Sequence, residues 1–158
     1  MKTLFLSLLL VSNFMWGQKE MPRVTLKSLD NKEYSLSESF AEQDKVYVFA
    51  FWATWCVPCI NELDAIRNHY TEWQQELDFE VIAISIDDSK TAKRVTPLVK
   101  GRNWPYTILL DANQEAKRLM GVANVPYTVV VKNKKIVHIH NGYNQGNEQA
   151  LFDKLKTL

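Results

Sequence analysis

The sequence predicts an α/β domain, in which helices cover both faces of a central mixed sheet. Two nearly continuous apolar runs, 45–53 and 79–87, are typical of strands buried on both faces. Between them, apolar residues recur every three or four positions, which is the period of an amphipathic helix. After them, 127–140 predicts a β-hairpin. Alternating strands and helices followed by a hairpin favour a sheet with helices packed against it.

The N-terminal third of this domain predicts a strand pair ahead of the first buried strand. Residues 23–36 predict two short strands joined by a turn at Asp30 and Asn31. Residues 37–43 predict a short helical turn with Ser37 as its cap.

A long helix is predicted from Cys56 to about Glu76. Pro58 lies in its first turn, where a backbone N–H has no partner in any case. Its apolar stripe consists of Ile60, Leu63, Ile66, Tyr70, Trp73 and Leu77.

The second half of the chain predicts three more helices and a further strand. In order, these are a helix over 89–100, a strand over 106–111, a helix over 114–120, the hairpin and a final helix over 146–158. Pro97 must kink the first of these helices or begin a new turn, and Gly121 should end the second.

The extreme N-terminus has a different character. Lys2 precedes an apolar run over 4–16, and Gly17 follows before the charges begin. This pattern predicts a secretory signal over 1–17 and a mature domain over 18–158. The apolar run is shorter than the roughly 20 residues that span a bilayer. We therefore expect an exported, periplasmic protein in an oxidising compartment, anchored to the membrane only if the leader stays uncleaved.

The charge balance argues against some partners. The chain carries 19 basic and 18 acidic residues, a formal charge of +1. A near-neutral protein offers no basic surface for nucleic acid, so none is expected as a partner.

The chemistry of the chain concentrates in Cys56 and Cys59, its two cysteines. Placed three apart at a helix start, they share a face and suit the distance that a disulfide needs. A disulfide that closes so small a loop would stabilise the fold little. The unpaired N–H groups of the helix start favour a thiolate. We assign Cys56, expected to be the more exposed, as the nucleophile and Cys59 as the residue that resolves the mixed disulfide.

Two other functions use the same residues. A copper-delivery module would bind metal through Cys56, Cys59 and a histidine, of which His138 and His140 alternate on one predicted strand. A metal site usually needs about four ligands and this pair supplies two, so no metal is expected. A thiol peroxidase acting through Cys56 is the weaker alternative.

Three motifs carry a family resemblance: FWATWCVPC at 51–59, Glu62, and VPY at 125–127. With them, residues 23–158 resemble the thioredoxin fold and, more narrowly, the exported TlpA/ResA-type thiol–disulfide oxidoreductases. This resemblance implies an extra N-terminal strand pair and a helix–strand insertion over 88–112.

The resemblance also implies roles for site residues. Pro126 should follow a cis peptide bond from Val125, and this segment should pair with extended substrate. From its position beside Cys56, Trp55 is expected to form an apolar wall of the site, and Trp55 and Pro58 are expected to bind substrate.

The chain departs from thioredoxin at one position. Thioredoxin proper has a buried aspartate where this chain has Ala50. Glu62 is a substitute on the cysteine face of the helix, where it would influence thiol titration and exchange a proton with Cys59. Trp52 is expected in the core below Trp55, and Trp73 and Trp104 in packing roles.

These observations predict an exported thiol–disulfide oxidoreductase that needs no cofactor beyond its own disulfide. No positive charge lies between the cysteines, so we expect a reductant with a potential nearer about −270 mV than about −120 mV. The resemblance implies a membrane thiol-transfer protein as electron donor and protein disulfides as substrates, possible targets being apocytochrome c or other exported thiol proteins. A monomer is expected.

Overall fold

The structure is a computed structural model that describes residues 19–158, so the predicted leader over 1–17 lies outside the described residues. The strands are β1 Thr25–Ser28, β2 Glu33–Ser35, β3 Val46–Trp52, β4 Phe79–Ser85, β5 Thr107–Leu110, β6 Tyr127–Lys132 and β7 Lys135–Asn141. The helices are α1 Val57–Glu76, α2 Val95–Arg102, α3 Glu115–Met120 and α4 Asn147–Leu155.

The seven strands form one mixed sheet in the order β2-β1-β5-β4-β3-β6-β7. β3, β4 and β5 run parallel, because α1 and α2 return the chain to the same end each time. The other neighbours pair antiparallel. All seven residues of β3 are buried, as predicted, so both faces of the sheet are covered at its centre.

The predicted N-terminal strand pair widens the sheet. β1 pairs with β2 on one side and with β5 on the other. The predicted insertion is present as α2 and β5, and β5 joins the pair to the central strands.

The core on one face lies where α1 and α4 meet. Trp73 of α1 stacks on Phe152 of α4 with ring centroids 4.4 Å apart and planes within 4°. Five positions of the predicted apolar stripe are buried: Ile60, Leu63, Ile66, Tyr70 and Trp73. The apolar period therefore identified the helix face that packs on the sheet.

Two local predictions differ from the structure. Residues 36–40 form a turn, and the residues predicted as a helical turn, 37–43, contain no helix. Ser39 Oγ, rather than Ser37 Oγ, accepts the Ser35 N–H at 3.1 Å. The helix predicted over 89–100 is instead a 3₁₀ turn, Ala92–Arg94, followed by α2. Pro97 then falls in the first turn of α2, where its missing N–H does not kink the helix.

Within residues 19–158, we find no helix with the length and apolar character needed to cross a membrane.

Candidate active site

The two cysteines lie where β3 ends and α1 begins. Cys56 is the N-cap of α1, with extended backbone angles, and its Sγ accepts the Cys59 N–H at 3.3 Å. Its own N–H donates to the Ala53 carbonyl at 3.0 Å, which closes the turn from the strand. Pro58 occupies the first turn of the helix, as predicted. The helix start therefore places a sulfur atom among its unpaired N–H groups.

Cys56 and Cys59 form a disulfide with their Cα atoms 5.3 Å apart. Cys56 is 5% exposed and Cys59 is fully buried, which is the predicted order. Of the two cysteines, only Cys56 reaches the surface. Attack from outside is therefore directed to Cys56.

The segment around Pro126 reaches the same edge of the sheet. Tyr127 pairs with Phe51 near the end of β3, and the Val125–Pro126 bond is cis, as the resemblance implied. Within residues 19–158, no hydrogen bond engages the backbone N–H or C=O of Val125. Val125 is half-buried, so these two groups can pair with an extended peptide.

An apolar rim surrounds the disulfide. Trp55 is 57% exposed, and Val57 and Pro58 are exposed beside it. Trp52, by contrast, lies in the core and meets Trp104 edge to face, with ring centroids 4.9 Å apart. The predicted division between a rim tryptophan and a core tryptophan agrees with the structure.

Glu62 is buried in the wall of the site rather than solvated. It is 3% exposed and lies three residues after Cys59 on α1. Burial raises the pKa of Glu62 to about 7, the Thr128 hydroxyl opposes that rise, and the charge of Glu148 adds to it. The Glu62 carboxyl can therefore gain or lose a proton near neutral pH.

Thr128 is a site residue that the sequence analysis missed. Its Oγ1 donates to Glu62 Oε1 at 3.1 Å, which ties α1 to β6. Thr128 lies opposite Ala50 in the β3–β6 pairing, so the two side chains share a face of the sheet. Glu62 therefore reaches from α1 to the face of the sheet that Thr128 and Ala50 share. Only the strand register could have revealed this neighbour.

The histidines weighed as copper ligands lie elsewhere. His138 and His140 face α4 from β7, and with Lys154 they line a cavity of about 230 Å³. Within residues 19–158, no three His, Cys, Asp or Glu side chains come together as a metal-binding group. The copper module needs two cysteines and a histidine at one point, and the described residues offer no such group.

Known proteins and solved structures resemble this chain over most of its length. Thiol-disulfide oxidoreductase ResA of Bacillus thuringiensis subsp. konkukian (strain 97-27) is 26% identical over 141 residues, which covers 89% of this chain and 77% of that protein. Thioredoxin-like protein YneN of Bacillus subtilis (strain 168) is 27% identical over 126 residues, or 78% of this chain and 71% of YneN. The solution structure of a thioredoxin-like protein from Porphyromonas gingivalis superposes with a TM-score of 0.76 at 39% identity, covering 87% of this chain and 90% of that one.

The predicted thioredoxin fold and the predicted class of enzyme, a thiol–disulfide oxidoreductase with a Cys56–Cys59 pair, are both confirmed. A sequence profile of the AhpC/TSA family matches residues 18–140, most of the chain. The chain therefore belongs to the AhpC/TSA family of thioredoxin-like proteins.

Proposed function

We propose that this oxidoreductase works as an exported reductant of protein disulfides, with Cys56 as its nucleophile. The observation that carries the proposal is the Cys56–Cys59 disulfide at the start of α1, beside a Val125 backbone that has no partner within residues 19–158. The reduced cysteine pair supplies the electrons, and the Val125 backbone holds the substrate.

The first step begins from the reduced pair. The Cys56 thiolate attacks one sulfur of the substrate disulfide, a new S–S bond joins enzyme to substrate, and the other substrate sulfur leaves as a thiolate. Helix N–H groups favour the attacking thiolate, since the Cys59 N–H already points at Cys56 Sγ at 3.3 Å.

The second step releases the substrate. Cys59 loses its proton and attacks Cys56 Sγ, which forms the intramolecular disulfide and frees the second substrate thiolate. The substrate has then gained two electrons, and its two thiolates take up two protons. Glu62 accepts the Cys59 proton, directly or through water. Both residues are buried on one face of α1, and the pKa of Glu62 is about 7.

The substrate lies along the segment before Pro126. The Val125 N–H and C=O pair with an extended stretch of substrate backbone, as a strand pairs with a sheet edge. Trp55 and Pro58 contact its side chains on the other side of the disulfide, since both are exposed apolar groups there. Backbone pairing is independent of sequence, which suits an enzyme with several protein substrates.

Export, direction and partners are supported by features of the sequence and by the family resemblance. The leader pattern over 1–17 supports export to the periplasm. The uncharged Val57–Pro58 pair supports a reducing potential. A reductant must be recharged with two electrons, and a membrane dithiol protein is the donor that the TlpA/ResA-type resemblance suggests. That resemblance also points to cytochrome c maturation as a role, and we propose a monomer.

The test uses a peptide with one disulfide, dithiothreitol-reduced protein and quantification of the peptide thiols. Wild type should reduce one disulfide per molecule in a single turnover. Cys56→Ser should be inactive, and Cys59→Ser should stop at a mixed disulfide that mass spectrometry detects.

Unchanged activity in Cys56→Ser would remove the proposal. So would hydrogen peroxide consumed much faster than peptide disulfide, because the protein would then be a peroxidase. Trapping the thiol state in cells tests the direction, and an oxidised steady state with a potential near −120 mV would reverse it.

A further inference from the structure

A buried carboxylate holds the loop that leads into the disulfide. Asp87 follows β4, is 2% exposed and accepts three hydrogen bonds. Thr54 supplies two of them, from its backbone N–H at 2.8 Å and its hydroxyl at 2.6 Å. The Ser85 hydroxyl supplies the third at 2.8 Å. No role was assigned to Asp87 from the sequence, where it reads as the end of a strand.

The partners of Asp87 are all neutral. Within residues 19–158, no lysine, arginine or histidine forms an ion pair with it. Every hydrogen bond to its oxygens comes from a donor, and the Ser85 hydroxyl that donates to it also accepts the Asp87 N–H at 3.1 Å. Within the described residues, the Asp87 carboxyl therefore contacts three neutral hydrogen-bond donors and no cation.

Thr54 links the Asp87 carboxyl to the turn that leads to Cys56. Thr54 precedes Cys56 by two residues, so their Cα atoms are at most about 7 Å apart. The turn between them is closed, because Cys56 N–H donates to the Ala53 carbonyl at 3.0 Å. Thr54 and this closed turn therefore connect the Asp87 carboxyl to Cys56.

From this geometry we infer that Asp87 is a positioning residue that also makes the Cys56–Cys59 pair a stronger reductant. Its hydrogen bonds fix Thr54 and the turn before Cys56. Its negative charge disfavours the Cys56 thiolate, which exists only in the reduced protein. Destabilising the reduced form favours electron transfer to the substrate. The inference rests on the proposed direction of exchange and supplies a structural cause for it.

The variant that separates charge from shape is Asp87→Asn. The amide has nearly the size of the carboxylate. Its oxygen can take the place of Oδ2 and keep the Thr54 N–H and the Ser85 hydroxyl as donors, and its NH2 group can donate to the Thr54 hydroxyl, which turns to accept. Asp88→Asn is a matched control, because it removes the same charge one residue later from an exposed side chain. If Asp87→Asn fails to fold, Asp87→Ser provides a smaller neutral replacement.

The measurement is the equilibrium of each protein with reduced and oxidised glutathione at pH 8. For Asp87→Asn, the equilibrium constant for reducing the Cys56–Cys59 disulfide should rise about threefold to tenfold. A tenfold rise corresponds to about 30 mV. Iodoacetamide should also alkylate Cys56 half-maximally at a lower pH than in wild type. Asp88→Asn should stay within about twofold of wild type, because water screens its charge.

A purely structural role would lower the unfolding free energy of Asp87→Asn and leave the glutathione equilibrium unchanged. That outcome overturns the inference, as does an equal shift in Asp88→Asn. Wild type serves as the reference for the proposed function. If it reduces no peptide disulfide, the proposed function fails whatever Asp87 does; if it does so and Asp87→Asn shows no shift, only the present inference fails.

Discussion

Replacing Glu62 by glutamine should stabilise the oxidised protein at alkaline pH and change little at acid pH. Burial raises the pKa of Glu62 from 4.5 to about 7 in the folded protein. Between these values the native state holds a proton that the unfolded chain has released, so stability falls as pH rises through that window. Below about pH 4.5 both states are protonated, and above about pH 7 both are ionised.

The size of the effect follows from the pKa difference. At about 1.4 kcal/mol per unit, a rise from 4.5 to about 7 makes the ionised side chain cost about 3 kcal/mol in the folded state. Glutamine keeps the shape and the contact with the Thr128 hydroxyl without the charge. Glu62→Gln should therefore gain about 3 kcal/mol over wild type at pH 8.5 and less than about 1 kcal/mol at pH 4.5.

Urea denaturation of the oxidised proteins at several pH values between 4.5 and 8.5 measures this difference. Glu76→Gln is the control, since it removes an exposed glutamate from the same helix. Its stability should change by less than about 1 kcal/mol at either pH. A constant difference between wild type and Glu62→Gln across the range would refute the reasoning, because the buried carboxyl would then not titrate in that window.

Three further outcomes are expected. Trp55→Ala should lower kcat/KM for protein disulfides about tenfold. Because the ring is exposed, the unfolding free energy should change by less than about 0.5 kcal/mol. Wild-type activity in this variant would count against the exposed side chains beside the disulfide as a docking surface. Thr128→Val should raise the pKa of Glu62 further, because it removes the hydroxyl that favours the ionised form. Carbon NMR of the Glu62 carboxyl measures this pKa, and a pKa that falls or stays the same would contradict the prediction. Trp73→Ala should destabilise the protein by about 3–5 kcal/mol in urea, because its ring stacks on Phe152, and a loss under about 1 kcal/mol would contradict that packing.

The long elements could be predicted because their patterns are periodic over many residues. α1 has a buried stripe at steps of three and four, and β3 is apolar throughout, so each pattern admits few alternatives. The predictions for two short segments differ from the structure. At 36–40 and 92–94 the hydrogen bonds are local and few, and helical and turn conformations differ little in energy there.

The site could be predicted only as far as sequence neighbours reach. Cys56, Cys59 and Glu62 lie on one helix, so their spacing places them together. The residues that bond Glu62 and Thr54 come from distant parts of the chain. Thr128 is 66 positions from Glu62, and Asp87 is 33 from Thr54. Such contacts depend on strand register and order, which side-chain patterns alone do not determine.

Cys56 is both a member of the disulfide and the N-cap residue of α1. A serine at this position retains an oxygen that can accept the Cys59 N–H, whereas an alanine leaves that N–H without a partner. Loss of activity in a serine variant therefore reports on sulfur chemistry alone. Loss in an alanine variant mixes that chemistry with a frayed helix, so the serine protein is the better inactive control.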